Sequence, residues 1–211
     1  MSPMREHYQK ELAIQAAEQN NIANVSEYQK LLKRLYDDKA MLKNISSIQD
    51  KATAKAEMLP SYAAWVQGVM MGEHPVKGDK ITATILIWML DCGQLDAALP
   101  LAQFAINNDL ISSDDYQRPI RTIIPEEYAA RMMGGYTVNK ETVETLIEWA
   151  TAKNDDGLHT YNMPDQVRAK VLKAAGEWAE EKSKDWARTL YEKALSYNDR
   201  IGVKKKIAAL S

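Results

Sequence analysis

The residues that come nearest to a catalytic motif lie in the last quarter of the chain. Pro164-Asp165 followed by Glu180-Glu181-Lys182 fits the pattern PD-(x)n-E-x-K, in which two carboxylates hold a magnesium ion and a lysine positions the attacking water. The apolar spacing between them predicts a single helix, and a rise of 1.5 Å per residue then separates Asp165 from Glu180 by roughly 22 Å. The two carboxylates cannot share a metal, so we predict no catalytic residue and no metal site.

No other arrangement of reactive side chains predicts an active site. The loop from Gly72 to Gly78 superficially resembles a phosphate-binding loop, but five residues rather than four separate the glycines, and Asp79 precedes Lys80. The three histidines are far apart in the sequence and lack metal-ligand spacing: His7, His74 and His159. We therefore predict neither a nucleotide site nor a cofactor.

A long amphipathic helix is the feature that points to binding. It is predicted from Ser26 to about Glu57, and a Ser26/Gln29 capping box opens it. Basic residues fall on one arc of its helical wheel: Lys30, Lys33, Arg34, Lys51 and Lys55. Such a stripe can neutralise DNA phosphates, but a solvated face of an amphipathic helix is the commoner explanation. The residues alone leave both interpretations open.

The opposite arc of this helix predicts contacts between subunits. Its apolar residues recur at spacings of three and four: Tyr28, Leu31, Leu35 and Leu42. An alternative for the preceding arm is a helix-turn-helix, with Ala16-Ala17 in the first helix, Asn21 at the turn and Ser26 capping a recognition helix.

Composition favours an all-α protein. The 211 residues include only 9 Gly and 7 Pro, Ala, Leu, Lys, Glu and Gln dominate, and alternating β-branched runs are missing. A net charge of −2 provides no overall attraction for nucleic acid, so DNA binding needs a local patch or repetition in an oligomer. One cysteine, no secretory signal and no run of about 18 apolar residues predict a cytoplasmic protein that does not bind membranes.

Two helical hairpins are predicted after the long helix. The apolar stretch from Asp79 to Asn107 is expected to begin with Asp79 as an N-cap and breaks at Gly93, and a fainter copy of its second half recurs from Ala187 to Leu195. A polar connection is predicted from Asp109 to Pro125, and Pro164-Asp165 is predicted to open a helix. Both resemble the second helix of a tetratricopeptide-type hairpin. We predict three regions: an N-terminal DNA-binding and oligomerisation region (1–58), a central helical core (59–153) and a C-terminal helical hairpin (154–211).

Four strings of the sequence together resemble one protein family. They are LPSYAAWVQGV, ILIWMLDCGQLDAALPLAQFAI, NMPDQVRAKVLKAAG and IGVKKKIAAL. In this order, from about Leu59 to Leu210, they are similar to the small terminase subunit of P-two-like temperate tailed bacteriophages. The resemblance implies a regulatory DNA-packaging protein that is not itself an enzyme and that acts in the host cytoplasm without entering the mature virion.

The resemblance also implies partners. Small terminase subunits recognise a packaging site on concatemeric double-stranded viral DNA, assemble into rings, and recruit the large subunit, which holds the ATPase and the nuclease. We expect DNA contacts from Lys30, Lys33, Arg34, Lys51, Lys55, Arg118 and Arg121, and a dock for the large subunit at Lys204, Lys205 and Lys206. The alternatives are a tetratricopeptide-like protein scaffold without DNA contact, and a terminase subunit with its own metal-dependent endonuclease activity.

Overall fold

The computed structural model describes residues 27–74, 77–110 and 118–210. Within these ranges the chain is built from helices, contains no strand, and has one isolated antiparallel bridge, between Lys153 and His159. The helices are α1 (27–43), α2 (Ile48–Met58), α3 (Ala63–Met70), α4 (Ile81–Asp91), α5 (Leu95–Asn107), α6 (Ile120–Met133), α7 (Lys140–Thr151), α8 (Asp165–Ala179), α9 (Lys184–Tyr197) and α10 (Lys204–Ala209). A 3-10 helix, Leu59–Tyr62, joins α2 to α3. The prediction of an all-α protein is confirmed.

The N-terminal amphipathic segment forms two helices rather than one. α1 ends at residue 43, and α2 begins at Ile48 after four residues outside helical structure. Ser47 caps α2, because its hydroxyl oxygen accepts a hydrogen bond from the Asp50 amide at 3.2 Å. The prediction of one continuous helix over 26–57 is therefore wrong, since the apolar spacing continues across a serine that starts a new helix. Its basic stripe is divided between two helix axes.

The apolar centre of the chain forms the predicted hairpin, α4 followed by α5. Asp79 caps α4 as expected, because its Oδ1 accepts hydrogen bonds from the Ile81 amide at 2.8 Å and the Thr82 amide at 3.3 Å. Gly93 ends this helix with φ at 75°, a conformation that costs glycine little. α4 is buried almost throughout its length, because α2, α3, α5 and α6 pack around it.

α6 begins earlier than the sequence predicted. A polar connection was expected to continue to Pro125, but the helix runs over Ile120–Met133 and includes that proline. Pro125 lacks the amide that would donate to the preceding turn, which disfavours helix at this position. Burial of Ile123, Ile124 and Tyr128 accompanies the helix across the proline, so packing outweighs the local preference.

α8 and α9 form the C-terminal hairpin. Pro164 and Asp165 open α8, as predicted. The two helices approach closely at Gly176, where an added Cβ would lie 2.5 Å from the ring of the fully buried Tyr191. α10 packs on α9 and completes this end of the molecule.

The buried apolar residues form one cluster. It extends from Leu35 in α1 through Leu86 in α4 and Tyr128 in α6 to Val203 before α10. The proposed boundaries near residues 58 and 153 and the tetratricopeptide-like packing stay predictions. No helix in the three described ranges is long and apolar enough to cross a membrane.

Candidate nucleic-acid and partner interfaces

α1 is fixed to the core along one side. The Tyr62 hydroxyl donates a hydrogen bond to the buried Asp38 carboxylate at 2.6 Å. The Tyr28 hydroxyl donates to the Gly78 carbonyl at 3.1 Å and accepts from the Lys80 amide at 3.2 Å. Burial and the neighbouring Asp38 raise the pKa of Tyr62 well above its ordinary value, so the phenol remains a donor at neutral pH. These contacts fix α1 relative to the core, so the solvent-facing side of the helix also has a fixed position.

The residues predicted to join subunits lie on this inner side. Leu35 is 3% exposed and Leu42 is 7% exposed, while Tyr28 and Leu31 are half-buried against the same core. Their contacts in this structure are made within one chain. Their role in oligomerisation stays a prediction.

The outer side of α1 carries three of the predicted DNA-contacting residues. Lys30 and Lys33 are exposed and form no ion pair within the described ranges. Arg34 is also exposed, and its Nε lies 3.9 Å from Asp38 Oδ2. Asp37 is exposed on the same helix, one turn after Lys33, and reduces the local positive charge. The three cations nevertheless lie together on solvent-facing positions, where phosphates can approach them.

Lys51 and Lys55 lie on α2, out of line with the α1 group. Both are half-buried. The Lys55 ammonium donates to the Asp91 carboxylate, whose other oxygen accepts from Arg131. Because Asp91 thereby joins α2, α4 and α6, Lys55 already has a role inside the fold. A DNA contact by Lys55 stays a prediction that requires this ion pair to open.

Arg118 and Arg121 also have carboxylate partners. Arg118 pairs with Glu126, which also binds Lys170, and Arg121 pairs with Asp109 at 2.7 Å. Burial raises the pKa of Glu126, but the hydrogen bonds from Lys170 and Arg118 outweigh it and hold the pKa below its ordinary value. The two arginines flank the start of α6 and stay predicted DNA contacts.

The predicted dock for the large subunit contains one ion-paired lysine and two lysines without an ion pair among the described residues. Lys204 and Lys205 are exposed, whereas Lys206 lies 2.8 Å from Glu180 and 3.6 Å from Glu177. Hydrogen bonds from Lys206 and Tyr191 lower the pKa of Glu180. Lys206 therefore fastens α10 to α8, and the first two lysines remain available for a partner.

The two carboxylates of the PD-(x)n-E-x-K pattern lie at opposite ends of one helix. Asp165 is the first residue of α8, and Glu180 follows the last. No group of three or more His, Cys, Asp and Glu side chains in the described ranges is arranged to hold a metal ion. The helix-turn-helix alternative, with Ala16-Ala17, Asn21 and Ser26, lies outside the described residues.

One exposed residue of α1 was left unassigned by the sequence reasoning. Tyr36 is 75% exposed, although tyrosines elsewhere in the described ranges, such as Tyr62 and Tyr128, are fully buried. A helical wheel centred on Leu35 and Leu42 alone, without α2, places Tyr36 away from the core. The spacing therefore contained the signal for an exposed Tyr36.

Comparisons with known proteins agree with the resemblance in the sequence. A family model described as phage small terminase subunit matches residues 32–166. The chain is 30% identical over 214 aligned positions to the "Terminase, endonuclease subunit" of Escherichia phage P2, an alignment that covers 99% of this chain and 84% of that protein. No solved structure matches. Since the family model spans more than half of the chain and the relative aligns along nearly all of it, this protein belongs to the phage small terminase subunit family.

Proposed function

We propose that this protein recognises the packaging site on concatemeric phage DNA, assembles into a ring, and recruits and regulates the large terminase subunit. Family membership supports the packaging role. The observation that carries DNA recognition is the outer side of α1, where Lys30, Lys33 and Arg34 are exposed on a helix anchored to the core. A rigid helix fixes the spacing of its cations before DNA arrives, which reduces the entropy cost of binding.

A ring reconciles this role with the charge of the chain. The monomer has a net charge of −2 and attracts a polyanion weakly as a whole. Repetition of α1 around a ring places many copies of the same basic side along one duplex, and each neutralised phosphate adds to the affinity and its salt dependence. Lys51, Lys55, Arg118 and Arg121 are secondary contacts in this proposal, because the last three must first leave a carboxylate partner.

The C-terminal helix is the proposed dock for the large subunit. Lys204 and Lys205 are exposed, while Lys206 holds the helix in place through Glu180. A partner with an acidic surface can therefore bind a positioned pair of ammonium groups. ATP hydrolysis and DNA cleavage belong to the large subunit in this scheme, and the small subunit acts in the host cytoplasm before the virion is complete.

The experiment that tests the proposal is charge reversal on α1. Lys30→Glu, Lys33→Glu and Arg34→Glu together should weaken DNA binding strongly and lower the salt exponent by about 3 for each subunit in contact, because each phosphate contact contributes roughly one unit. Fluorescence anisotropy with labelled phage DNA at two salt concentrations measures both quantities. A matched control reverses Lys140, Lys184 and Lys193, which are exposed on α7 and α9. Equal DNA affinities and equal salt exponents for the two triple variants would contradict DNA recognition by α1.

Native mass measurement of the same samples tests the ring, and it should give a defined number of subunits. Since the phage P2 relative is named an endonuclease subunit, magnesium-dependent cleavage by the isolated protein must also be assayed. Cleavage that is lost in Asp165→Ala would favour the nuclease alternative. Binding of the large subunit without any DNA affinity would favour the scaffold alternative.

A further inference from the structure

The exposed surface of α1 has two flanks with different chemistry. At 3.6 residues per turn, one flank contains Glu27, Lys30, Arg34, Asp37 and Met41, in which one carboxylate precedes and one follows the two cations. The other contains Gln29, Lys33, Tyr36, Ala40 and Lys43, all exposed. No carboxylate lies on this second flank, which we call the donor flank.

The polar side chains of the donor flank share one property. A glutamine amide, a lysine ammonium and a tyrosine hydroxyl can each donate a hydrogen bond to an anionic oxygen. Within the described ranges, Lys33, Tyr36 and Lys43 form no hydrogen bond, ion pair or ring contact. Ala40 lies between them and is small enough to let a ligand approach the helix. The flank therefore presents unused donors to solvent.

The dimensions of the donor flank suit duplex DNA. Lys43 lies ten positions after Lys33, which corresponds to about 15 Å along a helix axis. Flexible lysine side chains at this separation can reach phosphates on both sides of a major groove that is about 12 Å wide. Tyr36 lies between the two lysines, and tyrosine hydroxyls are regular donors to phosphate oxygens.

We propose that the donor flank of α1 binds the phosphate backbone of duplex DNA, with Lys33 and Lys43 as ionic contacts and the Tyr36 hydroxyl as the uncharged contact that fixes the helix on the backbone. This rests on the proposed function and adds Lys43 and Tyr36 to its DNA contacts on α1. A second copy of α1 suits the flank less well, because parallel or antiparallel pairing brings the like-charged lysines of the two copies together. The phosphates of DNA supply anionic oxygens that can accept hydrogen bonds from the donors of this flank.

The experiment compares single variants of the full chain on a labelled duplex at several salt concentrations. Tyr36→Phe removes only the hydroxyl and should lower affinity about 3- to 10-fold with an unchanged salt exponent, since no charge is lost. Lys43→Gln should lower the exponent by about 1 for each subunit in contact. Lys140→Gln is the matched control, with the same charge change on an exposed position of α7, and should bind as the wild type does.

The outcomes separate this inference from the proposed function. If the wild-type chain binds DNA and both Tyr36→Phe and Lys43→Gln keep its affinity and salt exponent, the inference about the donor flank is overturned and the proposed DNA recognition stands. No binding by the wild-type chain overturns both. Native mass measurement accompanies each titration, and a smaller number of subunits in Tyr36→Ala would show that the flank joins copies of the chain, which also overturns the inference.

Discussion

α1 and the C-terminal hairpin are both rich in lysine and arginine, but they use these residues differently. On α1, Lys30 and Lys33 extend into solvent without an ion pair in the described ranges. In the hairpin, Arg168 is 2% exposed, and two glutamates bind Lys206 of the neighbouring α10. A count of basic residues does not distinguish a binding surface from a structural ion pair. Exposure and existing partners do: Arg168 and Lys206 stabilise the fold, whereas Lys30 and Lys33 on α1, like Lys184 and Lys193 on α9, are exposed.

The largest expected effect is loss of the buried arginine in the hairpin. The Arg168 guanidinium donates to the Ala150 carbonyl at 2.7 Å and to the Tyr161 carbonyl. Arg168→Met keeps much of the length but leaves both carbonyls without this donor, which should reduce the free energy of unfolding by about 2–5 kcal/mol. Urea unfolding measures this loss. The control is Arg188→Met at an exposed position, which should change the free energy of unfolding by under about 0.5 kcal/mol. Equal losses in the two variants would contradict a structural role for Arg168.

The next effect comes from the contact of α8 with α9. Gly176→Ala places a methyl group against the Tyr191 ring, which is fully buried and cannot move aside. The variant should lose about 1–3 kcal/mol through overpacking. Tyr191→Leu should relieve part of this penalty in the double variant, so the two changes should not be additive in a thermal-unfolding cycle. If the stability losses of the two single variants add up in the double variant, the contact between residue 176 and the Tyr191 ring is not the source of the penalty.

A change at the base of α1 should affect both stability and DNA binding. Tyr62→Phe removes the donor to the buried Asp38 carboxylate and should cost about 1–3 kcal/mol. Because this contact anchors α1, DNA affinity should fall as well, whereas Gly176→Ala should leave the affinity of folded protein unchanged. Tyr136→Phe, at a residue that is 43% exposed, is the control. Unchanged DNA binding in folded Tyr62→Phe would show that α1 does not need this anchor.

The smallest effect concerns the Lys206 ion pair and depends on pH. The hydrogen bond from Lys206 lowers the pKa of Glu180 below its ordinary 4.5, so the stabilisation is present above pH 4.5 and is lost as pH falls through the lowered value. Burial lowers the pKa of Lys206, but Glu180 and Glu177 outweigh it and raise it above 10.5, so the stabilisation is lost only as pH rises through that higher value.

Lys206→Met should therefore cost under about 1 kcal/mol near neutral pH, because the pair is partly exposed, and less below pH 4.5. Unfolding curves of the variant and the wild type at pH 7 and pH 3.5 measure the difference. Lys205→Met is the control and should show no such pH dependence. A constant penalty at both pH values would assign the effect to lost packing of the lysine stem.

Local signals made much of the fold predictable. Asp79, Gly93 and Pro164 each act on the backbone within one or two residues, so the starts of α4 and α8 and the end of α4 were confirmed. The break between α1 and α2 was missed because apolar spacing was given more weight than Ser47. The early start of α6 was missed because burial overrides the preference of Pro125.

The candidate interface was less predictable, because long-range pairing decides which cations are free. Asp91 binds Lys55 across 36 residues, and Glu180 binds Lys206 across 26. No spacing rule connects residues so far apart in sequence. Lys30 and Lys33 could be identified as exposed from their positions opposite Leu35, whereas the ion pairs of Lys55, Arg118 and Lys206 required the folded structure.

The four residues between α1 and α2 have a consequence for how this chain tolerates insertions and deletions. Inside a helix, one added residue rotates everything after it by about 100°, so an insertion within 27–43 would turn the donor flank away from its present direction. An insertion at 44–47 is absorbed by non-helical backbone, three of whose four residues are exposed. We expect this segment to accept a short peptide tag or a fluorophore site while both helices keep their orientation.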